Sequence, residues 1–476
     1  MKKQHSLFML TMLALLALSC LTVHAEVVTR VKGRVVSGNA SEVLLRWMVD
    51  NPITGKGETY RAAIGSDGAF SMDVPLERMA TGRVYVGTFM HEFCLMPGDD
   101  LFVRVDGDSM VYQGKGAATN TFLYQAERAG LWNTSFYKEV NRGELSLTEF
   151  MDWMLAFKQR RWAFLEAYTE TVPLPKEFVA WYRADTEANF ENMMHQYIRV
   201  YAGRKRISQD SLEIPSDYQS LIEFGKGLDD ARVVSSNYVH NLRNRLYDKA
   251  AEVQAGRPGL KMKEAFLEVI RDTLQGKTRE AVLTKSILSS FSQNQYDSAS
   301  VKLFKTLDVS DLAQSTFQAG LAKYEEKQAL IGQPLHPEFA NTLLLDTAGR
   351  EWTLAELIAS FKGKKVYLDF WGMGCGPCRM EMPYAKQLKE KVAGEPVVFV
   401  YVSMEAVKSG SWGKVFEATH TNEHHFVMKN GFDSRLNQFM EINWVPCYMM
   451  VDAQGALLDF NAPRPSALLR MERPFR

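Results

Sequence analysis

Two cysteines separated by two residues, Cys375-Gly376-Pro377-Cys378, carry the most specific chemistry in this 476-residue sequence. An apolar run ending in Trp371 leads through Gly372-Met373-Gly374 into the motif, and a helical pattern follows it. The first cysteine is therefore predicted at a helix N-terminus, where unpaired N–H groups and the helix dipole stabilise a thiolate. One helical turn brings the second sulfur within disulfide reach, so it can attack a mixed disulfide formed on the first. Pro377 falls at an early helical position, where its missing N–H costs no hydrogen bond. The chemistry on offer is thiol–disulfide exchange.

Two other uses of such a pair are open from the residues alone. A structural zinc site needs four ligands, and no second Cys-x-x-Cys or suitably spaced Cys/His pair accompanies this one. His420, His424 and His425 cluster, but in a polar stretch that predicts solvated side chains. A purely structural disulfide is the other use, although closing so short a loop constrains little of the unfolded chain. Asp369 favours redox chemistry. It lies in an otherwise apolar strand six residues before Cys375, where an ionised carboxylate is costly unless neutralised or hydrogen-bonded. Burial would raise its pKa and suit it to exchange a proton with the Cys378 thiol. An Asp at a strand edge facing water is the alternative.

The remaining cysteines are few. Of five in the chain, Cys94 reads as a buried small hydrophobe, and Cys447 as either a buried strand residue or a third redox-active thiol. Cys20 lies in the N-terminal segment, where Lys2 and Lys3 precede the apolar run Leu7 to Leu18 and Val23-His24-Ala25 follows. That run is short for a bilayer span, so residues 1–25 are expected to be a secretory signal peptide cut after Ala25. A second reading places a lipid on Cys20, with Leu18 standing where such sites prefer a small residue. Membrane association is expected only if Cys20 is lipidated or the segment stays as an anchor. Lys plus Arg and Asp plus Glu both number 56, so no net field recruits nucleic acid, and no nucleic-acid partner is expected.

The elements that position the motif follow from periodicity. The chain is 46% hydrophobic and 24% charged, a folded globular composition long enough for several domains. Residues 26–115 alternate with period two, as in Ala69-Phe70-Ser71-Met72-Asp73-Val74, with turns at Gly65-Ser66-Asp67-Gly68 and Pro97-Gly98-Asp99-Asp100. They predict a small antiparallel all-β sandwich. Residues 116–330 change to helical spacing: Phe150, Trp153, Met154, Phe157, Phe164, Leu165 and Tyr168 share one face, which reads as core packing. Arg204-Lys205-Arg206 reads as a solvated helix end. Ile331-Gly332-Gln333-Pro334-Leu335-His336-Pro337 breaks that pattern, and 331–476 alternates strands and helices, which predicts an α/β domain with a mixed sheet.

With these elements in place, Val366 to Pro383 resembles the active-site segment of thioredoxins. The ending Arg379-Met380-Glu381-Met382-Pro383 is more similar to exported TlpA/ResA-type disulfide reductases. The resemblance spans about Ile331 to Ser466 and includes Gly332-x-Pro334, Ser403-Met404-Glu405, Trp444-Val445-Pro446, Val451 to Gly455, and Arg464-Pro465-Ser466. The upstream β-rich and helical regions resemble accessory regions of large exported thioredoxin-family proteins of Bacteroidetes. The resemblance implies a thioredoxin-like fold with Cys375 attacking, Cys378 resolving and Asp369 as the buried acid. It also implies Glu405 as an acid near the site and Pro446 as a cis-proline, with Trp371, Gly374 and Val445 facing the partner. No metal or organic cofactor is implied. Two residues depart from the family: Gly374 stands where a bulky aromatic is usual, and Cys447 where Thr is usual.

What the resemblance implies is an exported thiol–disulfide oxidoreductase of the periplasm or cell envelope of a Gram-negative bacterium. It would reduce protein disulfides, with a role in cytochrome c maturation or redox homeostasis, and be re-reduced by a membrane-bound donor. Gly-Pro between the cysteines resembles reducing thioredoxins, with potentials on the order of −270 mV. Alternatives are a redox-sensing or partner-binding module whose disulfide is not turned over, or a disulfide oxidase or isomerase. A peroxidase is disfavoured by Gly372, where a Thr would be expected.

Overall fold

The alternating pattern near the N-terminus forms eight strands: β1 Thr29–Ser37, β2 Glu42–Val49, β3 Glu58–Ala63, β4 Ala69–Val74, β5 Ala80–Val86, β6 Phe89–Leu95, β7 Asp100–Asp106 and β8 Ser109–Gly114. The computed structural model describes residues 28–131, 140, 143–225, 227–405, 413, 424–440, 442 and 444–475. The expected signal segment with Cys20, and His420, lie outside them. The strands build two four-stranded sheets, β4-β1-β7-β8 and β3-β2-β5-β6. Inward residues of both sheets, among them Val31, Val103, Leu45 and Val84, join in one apolar core, as a sandwich requires. One pairing departs from the antiparallel expectation: β1 runs parallel to β7. Local turns specify hairpins, but β1 and β7 are far apart in sequence, and no local signal sets their direction. The expected turn before β4 is present, with Gly68 at φ +80° and its N–H donating to the Gly65 carbonyl.

Helical spacing then gives α1 Ala117–Arg128, α2 Leu147–Thr169, α3 Lys176–Lys205, α4 Ser216–Ile222, α5 Ser236–Ala255, α6 Met262–Thr273, α7 Gly276–Ser292, α8 Ser298–Phe304 and α9 Asp311–Ala329. Ser146 caps α2 by accepting from the Glu149 N–H, and Glu149 returns the contact to the Ser146 N–H. Phe150, Met154, Phe157 and Leu165 are buried on one α2 face, as core packing predicts. That face also buries Arg161, which donates to Thr186 and the Leu131 carbonyl and lies over the Tyr182 ring. Cys94 is buried and packs with Phe122, Leu165 and Phe178. Arg204, Lys205 and Arg206 are exposed at the end of α3.

The chain divides into two compact units. One holds the residues up to Lys285 with Thr306–Ala313; the other holds Ser286–Lys305 with Gln314–Arg476. The second unit includes α9 from Gln314 onward, and there the Lys327 ammonium donates to the Met440 carbonyl. After α9 come α10 Pro337–Ala340, β9 Leu343–Asp346, β10 Glu351–Thr353, α11 Leu354–Ser360, β11 Lys365–Trp371 and α12 Gly376–Lys391. They are followed by β12 Val397–Ser403, β13 His425–Met428, α13 Arg435–Met440, β14 Cys447–Val451, β15 Leu457–Asp459 and α14 Pro465–Leu468. The seven-stranded sheet runs β10-β9-β13-β12-β11-β14-β15. It is mixed: β11 is parallel to β12 and antiparallel to β14. This is the thioredoxin-like layer. Among the described residues, no helix is long and apolar enough to cross a membrane.

His425 corrects the expectation of a solvated histidine. It is buried in β13, and its ring stacks on Tyr401 at 5.1 Å. The polar stretch before it reads as solvated in sequence, whereas the parallel pairing with Tyr401 of β12 takes His425 into the sheet.

Candidate redox site

The site grows out of β11, where Asp369 sits inside the otherwise apolar run Val366-Tyr367-Leu368-Phe370-Trp371. Alternation sends Val366, Leu368 and Phe370 to one core and Tyr367 and Trp371 to the other. Asp369 shares the face of Tyr367 and Trp371, which is also the face that carries Cys378 and Met382 of α12. β11 is covered on both edges and both faces, so it holds these side chains rigidly.

The chain leaves β11 through Gly372-Met373-Gly374, and Cys375 becomes the N-cap of α12. The Cys378 N–H donates to the Cys375 sulfur at 3.1 Å. That contact answers one of the unpaired amides of the helix start and favours negative charge on the sulfur. Pro377 sits in the first turn, as expected. The two sulfurs form a disulfide, with S–S 2.01 Å and Cα–Cα 5.3 Å. Cys375 is half-buried, whereas Cys378 is only 2% exposed. An incoming sulfur can therefore reach the first cysteine and not the second.

Asp369 is 5% exposed, and burial pushes its carboxyl up to about 8, with the nearby Glu381 charge adding to the rise. It is not a strand-edge residue facing water. Its Oδ1 has no hydrogen-bond partner among the described residues. Glu381, one turn beyond Cys378, is a site residue that the motif did not reveal. It is 8% exposed, accepts from the Ser466 N–H and hydroxyl at 3.0 and 2.9 Å, and lies 3.9 Å from the Arg464 guanidinium. Its i+3 spacing from Cys378 was a usable signal, since it puts both on one helix face. Arg464-Pro465-Ser466 is thus the element that holds this second acid.

The Val445–Pro446 bond is cis. The Val445 carbonyl oxygen lies 3.5 Å from the Cys375 sulfur, so this segment and the disulfide face each other. Val445 is half-buried and Trp444 is 41% exposed. Glu405 is exposed and accepts from the Met373 N–H at 3.3 Å, which ties it to the loop entering the motif. A carbon added at Gly374 would meet nothing within 4 Å, so this position opens to solvent. Trp371 corrects the expectation of a partner-facing ring. It is 1% exposed and packs beside Cys378 and Met382, because strand alternation turns it inward.

Cys447 lies on the opposite side of the sheet. It pairs in register with Phe370 and joins that residue's core, away from the face of Cys378. Burial pushes its thiol up to about 12. Burial, and not proximity to the redox pair, describes this residue.

Residues 363–457 match the family model described as Thioredoxin-like. The thiol-disulfide oxidoreductase ResA of Geobacillus kaustophilus is 38% identical over 134 residues, which are 28% of this chain and 70% of that protein. ResA of Geobacillus thermodenitrificans is 40% identical over 65 residues, 14% of this chain and 33% of that protein. The chain thus spans about a third of the length of the first curated relatives it matches. Among solved structures, the thioredoxin domain of a thiol-disulfide oxidoreductase from Bacteroides vulgatus is similar at 24% identity. The match covers 26% of this chain and 83% of that chain, with a TM-score of 0.23. Through its C-terminal unit, the chain belongs to the thioredoxin-like family of thiol-disulfide oxidoreductases.

Proposed function

We propose that the protein is an exported disulfide reductase acting on protein substrates in the periplasm or cell envelope. The observation that carries the reading is the pairing of a half-exposed Cys375, whose sulfur accepts the Cys378 N–H, with a buried Cys378. The Cys375 thiolate attacks one sulfur of a substrate disulfide; that S–S bond breaks, and the leaving sulfur takes a proton. Cys378 passes its proton to the Asp369 carboxylate and attacks the Cys375 sulfur. The Cys375–Cys378 bond forms, the second substrate sulfur leaves, and two electrons have moved from the dithiol to the substrate. A carboxyl near 8 is close to an ordinary thiol, so this proton moves with little cost either way.

Substrates with apolar segments beside the disulfide suit the rim, where Met373, Met380 and Trp444 are exposed. Apocytochrome c is one candidate, as the TlpA/ResA-type resemblance of the sequence implies, and a membrane-bound donor would return the two electrons. The test is the reduction potential of the Cys375–Cys378 couple, together with trapping by Cys378→Ser. A potential near about −270 mV and an accumulating mixed disulfide on Cys375 are expected. A value near about −120 mV would instead mark an oxidase.

A further inference from the structure

Asp369 has a tyrosine in register on either side: Tyr401 across the parallel pairing with β12 and Tyr448 across the antiparallel pairing with β14. Both tyrosines share the core of Cys378 and Met382, so the three side chains occupy one face of the sheet. The Asp369 Oδ1 and the Tyr448 hydroxyl are buried atoms without a hydrogen-bond partner among the described residues. Tyr367 behaves differently. Its ring stacks on Tyr448 with centroids 5.4 Å apart, yet its hydroxyl donates to the Pro463 carbonyl.

On the same face the Trp371 indole N–H is a second buried donor without a partner among the described residues, and its ring is fixed two residues along the same strand. The charged and thiol groups facing Asp369 do not fill this need. Glu381 on α12 carries the same charge and is engaged by Ser466. Arg464, ahead of α14, lies beside Glu381. Cys378 on α12 is in the disulfide, and Tyr367 on β11 is committed to Pro463. Directly opposed residues on paired strands have Cβ atoms about 4.5–5.5 Å apart. The register therefore sets Tyr448 beside Asp369 on one face, and the Asp369 charge acts on the Tyr448 phenol.

We propose that Tyr448 is a positioning residue for Asp369: its phenolic O–H donates to the carboxylate, directly or through one water, and holds it toward Cys378. The donor favours the ionised carboxylate, the form that accepts the Cys378 proton. The consequence for turnover rests on the proposed reductase cycle; the hydrogen bond itself does not.

Tyr448→Phe keeps the stacked ring and removes only the hydroxyl. The Asp369 carboxyl is titrated by carbon NMR in the full-length oxidised protein, with Asp369→Asn assigning the signal. The expected result is an Asp369 acid about tenfold weaker in Tyr448→Phe, with its midpoint about one pH unit higher. An unmoved midpoint in a folded Tyr448→Phe protein would overturn the proposal. If Tyr448→Phe does not fold, Tyr448→Leu repeats the titration with the same two readings. No substrate is present in this experiment, so its result stands apart from the reductase test. A shifted midpoint in a protein that reduces nothing would sink the cycle alone, and normal reduction with an unshifted midpoint would sink this role alone.

Discussion

The Cys378 backbone N–H points at the Cys375 sulfur from 3.1 Å, so the helix that carries the second cysteine also stabilises charge on the first. The two thiols of the reduced protein are therefore unequal in both access and acidity. Cys375 is expected to alkylate with iodoacetamide with a midpoint below the ordinary thiol value of about 8.5. Cys378, 2% exposed, is expected to react at least roughly tenfold more slowly until the protein unfolds. Peptide mapping of the modified protein across pH checks this, and equal labelling of the two cysteines would refute it.

Asp369 makes stability depend on pH in a defined direction. Its folded value, near 8, lies above the unfolded carboxylate value of about 3.9, so the folded protein binds the extra proton between those limits. Stability is therefore fullest below about pH 4, falls as pH rises, and reaches its reduced level above about pH 8. Asp369→Asn removes the dependence. The variant should gain stability progressively over that window, by at most about 6 kcal/mol at the alkaline end. Denaturant unfolding at pH 5, 7 and 9 reads it out. The same variant should slow release of the Cys375 mixed disulfide without slowing its formation.

Both of these features could be read from sequence, whereas other parts of the site could not. The redox motif is local: strand, glycine-containing loop, cysteine at a helix start and Asp369 six residues earlier are all set by short-range pattern. The strand-helix alternation from β9 to β14 was legible for the same reason. Glu381 was not, since its partner Ser466 lies 85 residues away and only the folded chain joins them. Trp371 and His425 were misjudged because aromatic or polar character says nothing of which way a fully covered strand turns a side chain. The parallel β1–β7 pairing is likewise a tertiary fact without a local signature.

Cys447 sits next to the cis-proline in sequence but faces the core shared with Phe370. Its replacement should therefore leave redox chemistry alone and affect only packing. Cys447→Val is expected to stay within about 1.5 kcal/mol of the parent, whereas Cys447→Ser buries a hydroxyl and should cost about 1–3 kcal/mol. Both should keep the parent potential and the parent trapping by Cys378→Ser. A shift of the potential beyond about 30 mV in Cys447→Val, a tenfold change in the exchange equilibrium, would show a third thiol in play.

Gly374 is the place where partner choice can be changed without changing the fold. It precedes the attacking cysteine, has no positive φ, and a carbon added there would meet open space. Gly374→Tyr should therefore leave stability within about 0.5 kcal/mol of the parent, as for a surface substitution. The ring would stand on the rim beside Cys375, near exposed Met373, and narrow the approach to the sulfur. Small disulfides such as oxidised glutathione should react at nearly the parent rate, because they need little of the rim. Folded protein disulfides should change several-fold in kcat/KM. Parallel rates on the two substrate classes, with thermal unfolding as the control, decide it: an equal effect on both classes would mean the substitution acts on the thiolate of Cys375 and not on partner contact.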